Sequence, residues 1–313
     1  MAKQEIMPRP QKEYFNNSKV ANYISTNTGI VDVASLQLTT IPKKNIFVAV
    51  DLTSDENFKL SNPNVTQYDL AVMDAAYTIL KNGRDSFTPE MIVRIMAGNM
   101  DLDVTPQKKA AVTRSLNKLR HIDITIDCTE EFRARKLIGK DDKDLILSSY
   151  LMPLEKISFT PAFHKEKIEG FRFIKEPVLY TYAESVKQII DAPTELLEMT
   201  NVNMTDDFII LRDYLLKRIA TMKNPKNHRE SKRITYEWTD KKDGKIKGLL
   251  PDLGYTKEYQ EIHSSNWRRK KSEIHKSVLV ILDNFKEKEF IEGYKVIISD
   301  AGRKTIYGVD IVF

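Results

Sequence analysis

The sequence predicts an α+β chain of tandem winged-helix domains, each a helix-turn-helix carrying a β-hairpin wing. Two stretches and one repetition lead to that class. The first stretch is WRRKKSEIHKSVLVILDNFKEK, starting at Trp267. As a helix it puts Ile274, Val278, Ile281, Leu282 and Phe285 on one face, at the spacing of an amphipathic helix. The second, GYKVIISDAGRKTIYGVDIVF, reads as two strands, Tyr294 to Ser299 and Thr305 to Val312, joined by a turn containing Asp300, Ala301 and Gly302. The repetition is one of order: a Thr-capped helix, a later basic helix and an Ile-rich strand pair occur once before residue 160 and once after residue 204.

The chain has 313 residues, which favours two domains, with 41% hydrophobic and 30% charged residues. The net charge of +5 is small, so the placement of the charge says more than its size. Cys128 is the single cysteine, which excludes an internal disulfide framework and cysteine-rich zinc sites and points to a reducing, cytoplasmic setting. No apolar run approaches membrane-spanning length, and MAKQEIMPRPQKEY lacks the apolar core of a signal peptide, so no membrane partner is expected.

Taken in order, residues 1–64 read as an N-terminal arm with a short helix (EYFNNSKVANYIS) and strands on either side of Pro42. Residues 65–160 form the first winged-helix domain. Thr66 caps QYDLAVMDAAYTILKN, with Leu70, Met73, Tyr77 and Leu80 facing inward. Thr88 and Pro89 open TPEMIVRIMAG, closed by Gly98, and Thr105 with Pro106 opens a basic third helix. HIDITIDC and LILSSYLMPLEKISF supply an enlarged wing around a charged turn. Residues 161–203 read as a connecting segment with a strand and short helices. Residues 204–313 form the second winged-helix domain, opened by Thr205 and ending in the basic helix and hairpin.

Cations carry the functional signal. Arg268, Arg269, Lys270, Lys271, His275 and Lys276 crowd the start of the last helix, where the macrodipole disfavours them. A phosphate backbone resolves that conflict, because dipole and cations then attract one ligand. Arg303 and Lys304, near the hairpin tip, would touch flanking backbone, and Lys108, Lys109, Arg114 and Lys118 lie outward on the first basic helix. The bland reading of each run is a solvated face. For Trp267, packing in the core against the first helix of its module is the expectation, ahead of stacking on a sugar.

Chemistry finds no foothold. The histidines His121, His164, His228, His263 and His275 form no close pair for a metal, no phosphate-binding G-x-x-x-x-G-K-[ST] loop occurs, and no carboxylate pair stands out. The expectation is a binder and not an enzyme, with no metal and no cofactor.

From about Val65 to Phe313 the chain resembles the winged-helix replication initiators of bacterial plasmids and mobile elements, on element order and charge placement. The resemblance implies double-stranded DNA with origin repeats as ligand, host replication proteins as partners, and a homodimer alongside the monomer. It also implies principal base reading by the second basic helix. The alternatives are a winged-helix transcriptional regulator or partition-type DNA-binding protein, and wings that serve protein contacts alone.

Overall fold

The computed structural model describes residues 9–26, 36–38, 48–52, 65–139, 145–160, 168–199, 202–224, 232–242, 244–298 and 306–313. The fold is mixed α+β with several small antiparallel sheets. The chain divides into two compact units, Met1–Thr194 and Glu195–Phe313.

The first unit begins with β1 (Lys12–Asn16), α1 (Lys19–Thr26), β2 (Leu36–Leu38) and β3 (Val48–Leu52). Three helices follow, α2 (Gln67–Lys81), α3 (Pro89–Ala97) and α4 (Pro106–Leu119), with the two-residue strand β4 (Ser86–Phe87) between the first two. Each helix starts as the sequence predicts. Thr66, Thr88 and Thr105 accept hydrogen bonds from backbone N–H groups three residues on, and Pro89 and Pro106 occupy the first helical position, where no donor is lost. Gly98 closes α3 in the left-handed conformation.

Next come β5 (Ile122–Asp127), α5 (Thr129–Ala134), β6 (Ile146–Tyr150), β7 (Leu154–Phe159), β8 (Ile168–Phe173), α6 (Val178–Ser185) and β9 (Ile189–Pro193). Here the structure corrects the sequence reading. The run LILSSYLMPLEKISF is not one strand. It breaks before Pro153, which has no N–H to give to a ladder, and its halves join different sheets. β6 pairs with β5 in the order β2-β3-β5-β6, whereas β7 pairs with β8 in the order β4-β8-β7. The arm therefore contributes strands to this unit, and the segment after residue 160 completes its hairpin instead of linking domains.

A buried polar knot holds β1 and α6 against α2. The Asp74 carboxylate accepts from the Asn16 backbone N–H at 2.8 Å and from the Tyr180 hydroxyl at 2.6 Å. The Tyr180 ring stacks on Tyr77 at 4.1 Å. Burial, then the neighbouring Asp74 charge, push the Tyr180 hydroxyl far above its ordinary pKa, so it stays a donor.

A single turn, α7 (Thr194–Leu197), straddles the division. The second unit holds α8 (Asp206–Lys223), β10 (Arg233–Thr235), the short ribbon β11 (Trp238–Thr239) and β12 (Ile246–Lys247), then α9 (Leu249–Asp252), α10 (Lys257–Ile262), α11 (Ser264–Glu287), β13 (Gly293–Ile298) and β14 (Ile306–Val312). Its main sheet runs β10-β14-β13. In both units, then, a short strand (β4 after α2, β10 after α8) pairs with the second strand of the late hairpin. The two sheets share a steric signature. A Cβ on Gly170 in β8 would lie 2.7 Å from the Phe87 carbonyl oxygen of β4, and one on Gly308 in β14 would lie 2.3 Å from that of Ile234 in β10. Only a residue without Cβ lets the short strand close on the hairpin. Gly170→Ala and Gly308→Ala should each destabilise the chain by about 1–3 kcal/mol, as overpacking does. Gly293→Ala, with open space around the new methyl, should be near neutral; denaturant unfolding of the full chain reads the difference.

Candidate nucleic-acid interface

The long helix α11 has 24 residues and spans about 36 Å. Its buried residues are Ile274, Val278, Ile281, Leu282 and Phe285, the stripe read from the sequence. Nothing is buried from Ser264 to Glu273, so the basic half extends past the core. Its N-terminus has no side-chain cap and no acid in the first turn. The helix begins at Ser264, three residues before the expected Trp267, so the cations start at its fifth residue, Arg268, and the Asn266 N–H is already taken by the His263 carbonyl at 3.0 Å.

The register sorts the clustered cations into two sets. At about 100° per residue, Arg269, Ser272 and Lys276 lie opposite the apolar stripe, with Arg268 on the flank. Arg268, Arg269 and Lys276 are exposed. Arg269 makes only a 3.5 Å pair with Glu273, both largely in solvent, which contributes little. The other three turn towards the unit's body. Lys270 bonds the Asp207 carboxylate of α8 at 2.5 Å and lies 5.7 Å from the Tyr255 ring centre. Burial opposes its charge, but the hydrogen bonds and charges of Asp207 and Tyr255 together outweigh this and hold Lys270 above its ordinary pKa. Lys271 bonds Glu237 at 3.0 Å. His275 Nδ1 lies 2.8 Å from the Tyr236 hydroxyl, and burial lowers its pKa, favouring the neutral ring that can accept that bond. Lys270, Lys271 and His275 are thus struts. Arg303 and Lys304 lie outside the described residues.

Trp267 is not a core residue. It sits half-buried in a surface group of rings, 6.0 Å from Tyr255 and 6.3 Å from Tyr259, with His263 4.4 Å from Tyr259. Helix α10 buries no residue. No group of three or more His, Cys, Asp or Glu side chains able to hold a metal occurs among the described residues. No helix there is long and apolar enough to cross a membrane.

In the first unit the basic helix α4 sorts its charges in the same way. Lys118 turns inward to Asp69, which also accepts from the Thr66 backbone N–H at 2.7 Å and the Ser115 hydroxyl at 2.6 Å. With Asp69 almost wholly buried and Lys118 largely so, the ammonium neutralises a carboxylate of the capping box. This corrects the outward placement of Lys118. Lys109 pairs with Glu90 at 2.5 Å, and Lys108 is half-buried beside the cap. Arg114 is exposed and shares its face with Gln107 and Ala110, also exposed. These two were missed by counting charge alone, although the helical register places them beside Arg114. Arginine, glutamine and alanine suit guanine, adenine and thymine-methyl edges respectively.

No protein-family model and no curated protein sequence matches the chain. Among solved structures it is similar to a crystal structure of RctB domains 2-3, at 11% identity and TM-score 0.46, covering 95% of this chain and 97% of that one. It is also similar to a selenomethionine derivative of RctB domains 2 and 3, at 12% identity and TM-score 0.45, covering 95% and 96%. Likeness at that level leaves function to be read from the chain's own side chains.

Replacing Lys118 by Met should lower stability by about 3 kcal/mol, the low end for breaking a buried pair because Asp69 keeps its other donors. Binding of duplex DNA by the folded chain should not change. Denaturant unfolding and a titration at a temperature well below the transition separate the two effects.

Proposed function

We propose that the chain is a sequence-specific double-stranded DNA-binding replication initiator, built of two tandem winged-helix domains, that holds origin repeats. One observation carries the reading: the basic half of α11 stands clear of the core with Arg268, Arg269 and Lys276 exposed. A helix segment of that kind suits a major groove, where its exposed cations meet base edges and phosphate. The element order supports the domain reading, since each unit has a helix, a short strand, further helices and a hairpin closing on that strand. In this reading α11 is the principal reader and α4 the second groove helix. The hairpins β7–β8 and β13–β14 are the wings. Host replication proteins and a second copy of the chain are the protein partners, and binding requires no cofactor and no reaction.

Footprinting of the full chain on DNA flanking its own gene, over a salt series, tests this. Protection of phased direct repeats that weakens steeply with salt is the expected result. Protection of one short palindrome over the promoter would replace the initiator by a transcriptional regulator, and no protection at low salt would end the DNA reading. Within the site, Arg268→Ala and Arg269→Ala should each weaken specific binding by about 1–3 kcal/mol if bidentate to guanine. Lys276→Ala should weaken all sequences alike and reduce the slope of log K against log salt by about 0.9.

A further inference from the structure

The ribbon β11–β12 has no counterpart in the first unit, where α3 follows the short strand directly. It is small: Trp238 pairs with Lys247 and Thr239 with Ile246. Its surface is unusual for a mere connection. Trp238 and Ile246 are 42% and 39% exposed, and WTDKKDGKIK carries four lysines against two aspartates. The Asp240 carboxylate is already committed, to Lys247 and to the Lys242 backbone N–H at 2.9 Å. Lys241, Lys242 and Lys245 are exposed around the turn.

The root of the ribbon is fixed to the α11 region. Tyr236 is buried and bonds His275, and its carbonyl accepts from the Leu250 N–H at 3.0 Å. Glu237 bonds both Lys271 at 3.0 Å and Gln260 of α10 at 2.5 Å. On the return side Gly248 has φ +127°, and a Cβ there would lie 2.7 Å from the Tyr236 carbonyl oxygen. The chain thus enters and leaves the ribbon at one locked point beside the basic half of α11. The three steps from Glu237 to Asp240, before the turn at Lys241–Lys242, reach at most about 10 Å, and a major groove is about 12 Å wide. With α11 in the groove, that reach takes the tip to the sugar-phosphate strand bordering it.

We propose that the β11–β12 ribbon is a second DNA-contacting element of this unit, gripping the duplex backbone beside the site held by α11. The inference rests on the DNA reading above. Lys241, Lys242 and Lys245 supply cations to phosphates, and Trp238 with Ile246 packs against sugar edges. Charge complementarity and continuity with the α11 interface favour this occupant over a protein, for which three lysines around a five-residue turn offer no apolar centre.

The test uses the full chain on a duplex bearing its own site, with hydroxyl-radical footprinting and a salt series. The triple variant Lys241→Ala, Lys242→Ala, Lys245→Ala should reduce the salt slope by about 2–3 and lose protection at the flank while keeping it at the site. Trp238→Ala should lose the same flank protection with the slope unchanged. If the triple variant keeps slope, affinity and flank protection while Arg269→Ala weakens specific binding, the ribbon proposal falls and the DNA reading stands. If the wild-type chain binds no duplex at low salt, both fall.

Discussion

Burial of the second half of α11 is the interaction on which the functional surface depends. Five apolar side chains, Ile274, Val278, Ile281, Leu282 and Phe285, are buried there, each contributing up to about 1.5–3 kcal/mol. Against them stand like-charge neighbours beyond the uncharged first turn, Ser264 to Trp267, at a few tenths of a kcal/mol each. The apolar term is larger, so a helix whose basic turns repel one another is imposed from its other end. The bonds from Lys270 to Asp207, Lys271 to Glu237 and His275 to Tyr236 then stop the protruding half from swinging.

The threonine-capped starts of α2, α3, α4 and α8 and the apolar stripe of α11 were legible in the sequence because their causes are local, whereas α11 itself begins at Ser264, three residues before the expected Trp267. A threonine cap, a proline at the first helical position and a 3.6-residue period act within a few residues. The late hairpin of the second unit was legible for the same reason. What escaped was long-range. The strand β4 has two residues, too few for any alternation, yet it decides which hairpin closes the first unit. The Ile122–Ile126 run reads equally well as a wing strand, and only its pairing with β3 and β6 shows that it belongs to another sheet. The strand β8 pairs across the chain with β7 and β4, a partnership that no property of residues 168–173 reveals.

The basic cluster shows the same limit at the level of side chains. Counting charge finds Arg268 through Lys276 and weights all of them equally. Register and exposure separate them, because positions 270, 271 and 275 lie towards the body, positions 269 and 276 away from it, and position 268 is exposed on the flank. Partners for the inward set come from Asp207 and Glu237, distant in sequence, so no window around α11 could identify them. Lys118 is the counterpart in the first unit, and its partner Asp69 looks from sequence like an ordinary capping residue.

The chemistry of the two sets follows from this division. In α4 and in α11 the tied cations are lysines, held at Asp69, Glu90, Asp207 and Glu237. Arg114, Arg268 and Arg269 point outward. A lysine is a compact charge that can serve as a strut from several directions, whereas an arginine offers a planar fork whose value lies in its orientation. A bidentate contact to a base edge works only if the helix cannot roll about its axis. The lysine struts, on either side of each apolar stripe, supply that constraint. They fix rotation, and so determine where the arginines point.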